Sequence, residues 1–184
     1  MVGLSVAPVS AVAGLRANRP MAEGPPAGFT GGFGEASCLF CHTGNDANAF
    51  GGEVRIEGLP HAYEPGKEYL LTVVLRADET STAGFQMSAR FAEGPNRGAD
   101  AGVLAPMDAR TARTDSAGVA YLHQSPEGSR APDPSGSSWT VAWSAPGSSR
   151  PVALHVAANS GNGDESPLGD LVYTTERIVP GHDR

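Results

Sequence analysis

Residues 61–77 read HAYEPGKEYLLTVVLRA. Pro65-Gly66 marks a turn, and beyond it Tyr69, Leu71, Val73 and Leu75 fall on one face of an extended chain. That period of two predicts a strand with one buried face. The same pattern recurs outward in both directions. Residues 53–59 (EVRIEGL) alternate polar and apolar, and residues 83–92 (AGFQMSARFA) put Phe85, Met87, Ala89 and Phe91 on one face. Short runs follow at 101–104 (AGVL) and 118–123 (GVAYLH). Residues 137–145 (SSWTVAWSA) bring Trp139, Val141 and Trp143 together, and residues 151–158 and 170–179 complete the set. About eight strands are predicted, separated by turn signals such as EGPNRG, DSAG and APGSS. Each apolar face needs a second sheet to cover it. The predicted architecture is an all-β, immunoglobulin-like antiparallel β-sandwich. No helical periodicity appears beyond a possible turn around the cysteines.

Composition agrees and excludes some functions. The chain has 184 residues, enough for one domain with appendages. Its 24 glycines and 15 prolines punctuate short apolar runs, and 40% hydrophobic residues argue against disorder. The formal net charge is −7, with a single lysine, Lys67, and no basic run. Such a surface repels phosphates, so nucleic-acid binding is rejected. Residues 1–27 read as an arm, apolar and then rich in Pro and Gly. They are an export-signal remnant, in which Ala11-Val12-Ala13 fits a cleavage site, or a segment that touches a membrane surface or partner. Residues 28–52 carry the cysteine motif, and residues 53–180 form the sandwich.

The motif is SCLFCHTG at 37–44. C-x-x-C-H is the attachment pattern of c-type haem. Two thiols add across the two vinyl groups of one porphyrin, and the adjacent imidazole takes the iron. Cys38 and Cys41 are then the thioether residues, and His42 the proximal ligand. Three other readings stand beside it. A structural zinc site wants four ligands, and no second cysteine pair exists. A redox dithiol of thioredoxin type wants a βαβ setting and a helix N-terminus. A plain disulfide needs nothing more.

The order of motifs resembles the Reelin-type (Reeler-like) sandwich domains of bacterial exported, choice-of-anchor proteins that carry an N-terminal C-x-x-C-H. The matching pieces are GFTGGFGEASCLFCH, GLPHAYEPGKEYLLTVVL, AGFQMSAR, AGVL, YLHQ, WTVAWSAP and AANSGNGDESPLGDLVYTT, spanning roughly residues 28–175. The resemblance implies an exported β-sandwich with one covalent haem c. It implies no reaction.

A low-spin iron needs a sixth ligand, usually His or Met. His123, at the end of its strand and at a position that fits the family pattern, is the first candidate. His61 and Met87 are the alternatives, and a five-coordinate iron is another. Met87 shares its face with Phe85 and Phe91 and so reads first as core, while His155 lies opposite Val152, Leu154 and Val156. Residues 159–170 (NSGNGDESPLGD) are rich in oxygen ligands and are a weaker candidate for Ca²⁺. No Ser-His-Asp or paired-carboxylate spacing appears. The expectation is a periplasmic or extracellular mono-haem electron carrier, with the question of enzymatic activity left open, whose partner is a redox protein or a membrane-bound electron-transfer complex. A peroxidase-like haem enzyme is a minor reading. The alternative is a haem-free accessory subunit docked on a photosynthetic or respiratory complex.

Overall fold

The alternation in residues 68–77 becomes β2 (Glu68–Ala77), which turns Leu71, Val73 and Leu75 into the core. In the computed structural model, which describes residues 24–182, β2 lies between β1 (Gly52–Glu57) and β7 (Gly136–Ser144). β4 (Val103–Pro106) completes that sheet, in the order β1-β2-β7-β4. The second sheet has five strands: β3 (Thr82–Phe91), β5 (Thr111–Ser116), β6 (Val119–Gln124), β8 (Val152–Gly161) and β9 (Leu171–Val179). Their order is β5-β6-β3-β8-β9. All pairings between these strands are antiparallel. The architecture is the expected two-sheet sandwich. No helix among the described residues is long and apolar enough to cross a membrane. The expected cleavage site and most of the N-terminal arm lie outside the described residues.

The core sits between the sheets. Phe85 stacks on Trp139 with ring centroids 4.6 Å apart. Trp143 meets Tyr63 edge-on at 5.4 Å. Both indole N–H groups donate to loop carbonyls, Trp139 to Gly128 at 2.9 Å and Trp143 to Ala101 at 3.0 Å. These aromatic rings thus bury their area without orphaning a donor. Among the described residues nine strands are present where about eight were predicted. The extra one, β5, reads TARTDS and is mostly exposed, because it is an edge strand paired only with β6. Neither of its faces needs apolar residues, so no alternation marks it.

A third layer covers the outer face of the five-stranded sheet. Residues 24–36, which read as an irregular lead-in, pack on side chains that point away from the core. β3 is therefore buried on both faces over nearly its whole length. The contacts are polar. Gln86 is fully buried; its Nε2 donates to the carbonyl of Pro26 at 2.8 Å, and its Oε1 accepts the N–H of Phe29 at 2.6 Å. Arg90 is ion-paired to Glu35, and Tyr121 Oη donates to Glu35 Oε1 at 2.5 Å. Gly24 lies over His123 and Gly32 over His155, so close that a Cβ at either glycine would stand 2.3 Å from the imidazole. Glycine is required there by approach distance.

Breaking the Glu35–Arg90 pair leaves a buried guanidinium without its counter-charge. Glu35→Ala is expected to cost about 3 kcal/mol, read as a lowered urea midpoint. An unchanged midpoint would remove the pair from the account.

The same layer is expected to loosen in acid. Burial pushes the Glu35 carboxyl up, but hydrogen bonds from Arg90, Thr30 and Tyr121 outweigh it and hold the group below its ordinary value. Burial pushes His155 down, against the pull of Glu176. Both groups titrate lower when folded than when unfolded. Their contribution is complete above the unfolded value and is lost as pH falls through the folded one. Amide protection over residues 29–35 is expected to weaken below about pH 6.5 for His155 and again below about pH 4.3 for Glu35. Protection factors, corrected for intrinsic exchange, that stay flat from pH 7 to pH 3 would contradict this.

Candidate haem-attachment site

The two cysteines and the histidine meet through one helical turn. Ser37 caps it by accepting the N–H of Leu39, and Cys38–Phe40 form a 3-10 turn. The carbonyl of Cys38 accepts N–H groups from both Cys41 (3.2 Å) and His42 (2.9 Å). Positions i, i+3 and i+4 of a helical turn share a side. Cys38, Cys41 and His42 accordingly line one cavity of about 410 Å³. The C-x-x-C-H spacing thus has a local structural cause.

The cavity lies against the outer face of the five-stranded sheet. Thr82 and Gly84 of β3, Gln124 of β6, and Asn159 and Gly161 of β8 line it from that side. Pro25, Pro26 and Phe29 of the covering layer close another side. Its volume is in the range that holds cofactors. Gly84 and Gly161 keep the sheet side low. A Cβ on Gly84 would come within 2.8 Å of Asn159 Oδ1, and one on Gly161 within 2.5 Å of Thr82 Oγ1.

A second segment is zipped to the motif from the far end of the chain. Thr43 N–H donates to the carbonyl of Pro167 at 3.0 Å, and Gly169 N–H donates to that of Thr43 at 2.7 Å. Asn45 Nδ2 donates to the carbonyls of Gly169 (2.9 Å) and Asp170 (3.2 Å). These bonds deliver Asp170 to the motif. Its Oδ2 lies 2.6 Å from His42 Nδ1. An ionised carboxylate only accepts, so the shared proton sits on Nδ1 and leaves Nε2 as the free lone pair.

This donor set fits a c-type haem. It offers two thiols and a bare imidazole nitrogen on one mostly apolar cleft, with small residues where a flat group would lie. Cys38 and Cys41 are free thiols, not bonded to each other. Burial pushes the Cys38 thiol up to about 12. That direction is opposite to the one an activated thiol needs. Among the described residues no group of three or more His, Cys, Asp or Glu side chains is placed to hold a metal ion together.

The three distal candidates do not line the cavity. Both nitrogens of His123 are engaged, Nε2 with Thr114 Oγ1 at 3.0 Å and Nδ1 with the carbonyl of Gln124 at 2.8 Å. Its neighbour Gln124 reaches the cavity instead. Met87 is fully buried in the core between the sheets, because odd positions of β3 face inward. His61 is exposed in the loop between β1 and β2. In the oxygen-rich loop, Asn162 and Asp164 cap local backbone N–H groups, those of Asp164 and Ser166, which is the work of a turn. Sequence reasoning missed Asp170, Gly84 and Gly161. Asp170 stands 128 positions from His42. Only the sheet topology brings the two together.

No family model matches the chain, and no curated protein is significantly similar to it. Solved structures are more informative. The Reelin-N domain of F-spondin superposes with a TM-score of 0.51 at 18% identity, over 79% of this chain and 96% of that one. The human F-spondin reeler domain gives a TM-score of 0.51 at 18% identity, over 78% and 98%. The fold is reeler-like. That likeness concerns the sandwich and carries no activity with it.

Proposed function

We propose that the chain is an exported mono-haem c-type protein that relays electrons to or from a redox protein or a membrane-bound electron-transfer complex. The observation that supports this best is the convergence of Cys38, Cys41 and His42 on one apolar cleft. Haem iron supplies a one-electron couple when bound. The chain's own residues would do the rest. Cys38 and Cys41 would hold the group through thioether bonds, His42 would offer Nε2 to the iron, and Phe29 with Pro25 and Pro26 would limit water. Phe40 and Leu168 are exposed beside the motif and give an apolar rim where a partner can approach.

The intact mass of protein exported from a host that attaches c-type haem tests the proposal. One haem above the polypeptide mass is expected, and the bare polypeptide mass would overturn it. Filling the sheet side of the cleft should act on the haem and spare the core, since position 84 faces outward. Gly84→Leu is expected to lower haem occupancy several-fold, read as the Soret-to-protein absorbance ratio. Full occupancy would mean that the ring does not lie against β3.

A second reading keeps the sandwich and drops the haem: an accessory subunit on a photosynthetic or respiratory membrane complex. The exposed Phe40, Phe50 and Leu168 favour it. Deleting residues 1–20 is then expected to release the protein from membranes. Undiminished membrane binding would count against it.

A further inference from the structure

We infer that Asp170 is a positioning residue that orients His42, enriches its Nε2 in electron density as an iron ligand and so favours the oxidised state of the site. The inference rests on the haem reading above, but its geometry belongs to the polypeptide. The Asp170 carboxylate is 5% exposed, and Oδ2 is 2.6 Å from His42 Nδ1. Its other oxygen, Oδ1, is buried with no hydrogen-bond partner among the described residues. Among the described residues the carboxylate oxygens form no hydrogen bond other than the one with His42. The carboxylate is held in place from several directions. Asn45 grips the carbonyls of Gly169 and Asp170, and the strand β9 begins at the next residue.

A carboxylate that accepts Nδ1–H fixes the ring orientation and tautomer and raises electron density at Nε2. A more electron-rich ligand stabilises ferric over ferrous iron, because the higher charge gains more from it. A neutral acceptor at the same place gives less. The relevant substitution is therefore Asp170→Asn, which keeps size and removes charge.

At a fixed ambient potential, Asp170→Asn is expected to raise the ferrous-to-ferric ratio at least tenfold, which is about 59 mV for a one-electron couple. The iron–histidine stretch in the resonance Raman spectrum of the ferrous protein is expected to fall with it. A purely structural role would lower melting temperature or haem yield and leave both readouts alone. Equal ratios and equal stretches in haem-loaded wild type and variant would overturn the inference while leaving haem attachment intact. The unsubstituted haem-free protein gives an arm that needs neither haem nor a variant. Its ¹⁵N spectrum is expected to show His42 protonated at Nδ1. A proton on Nε2 alone would overturn the inference as well. Absence of haem from the wild type, together with an Nδ1 proton, would overturn only the haem reading and the inferred effect on the iron, and would leave the positioning of His42 standing.

Discussion

Replacing both Cys38 and Cys41 by alanine is expected to abolish covalent haem and leave the fold in place. The two thiols lie on a single turn outside the sandwich core, and neither is bonded to the other. They therefore contribute nothing to cross-linking the chain. The turn is held by Ser37 and by the carbonyl of Cys38, and alanine preserves the backbone part of that pattern. Denaturing gel electrophoresis with haem staining reads the effect directly. Full loss of the stained band with an unchanged circular dichroism spectrum is expected. The single variants are expected to retain one thioether bond and an intermediate signal. A double variant that still carries haem through denaturation would show that attachment lies elsewhere.

The second large effect concerns the sandwich. Trp139→Ala removes a fully buried indole from its stack on Phe85 and leaves the Gly128 carbonyl without its donor. A loss of about 3–5 kcal/mol is expected from the cavity alone. For a domain of this size that lowers the melting temperature by roughly 10 °C. Calorimetry of the variant tests it. A shift of only a degree or two would mean that the two sheets close over the gap. Tyr121→Phe is a useful contrast, because Tyr121 holds the covering layer through Glu35 and not the core. Its effect is expected to stay near 1 kcal/mol.

The sandwich was legible because its information is local. Period-two alternation in residues 68–77 and 83–92 states which side chains face inward, and the structure keeps Leu71, Val73, Phe85 and Met87 there. The edge strand β5 escaped, since an exposed edge needs no apolar face. The covering layer escaped for a related reason. Gln86, Ser88 and Arg90 look like a solvated strand face, yet all three are buried. Gln86 and Arg90 find partners in residues 26–35, while Ser88 Oγ finds none among the described residues, and no periodicity encodes such pairing. The motif was legible as chemistry, because the spacing of Cys38, Cys41 and His42 follows from one helical turn. Its surroundings were not. Asp170 reaches His42 through hydrogen bonds between residues 43–45 and 167–170, a contact set by topology. The search for a distal ligand went to histidines and methionines by type, but His123 spends both nitrogens within its own sheet.

The covering layer also links stability to the site. Pro25, Pro26 and Phe29 line the cleft, and Gln86 anchors the same stretch to β3. Acid that weakens the Glu35 and His155 contacts is therefore expected to loosen the segment that closes one side of the cleft.

The account rests on a porphyrin held by two thioether bonds at residues 38 and 41. The pyridine haemochrome spectrum of the exported protein tests that most directly. A reduced α band at the position of a porphyrin whose two vinyl groups are both saturated, with one haem per chain, is the predicted result. A colourless protein, or a band from a porphyrin with intact vinyl groups that washes out in acid acetone, would contradict it.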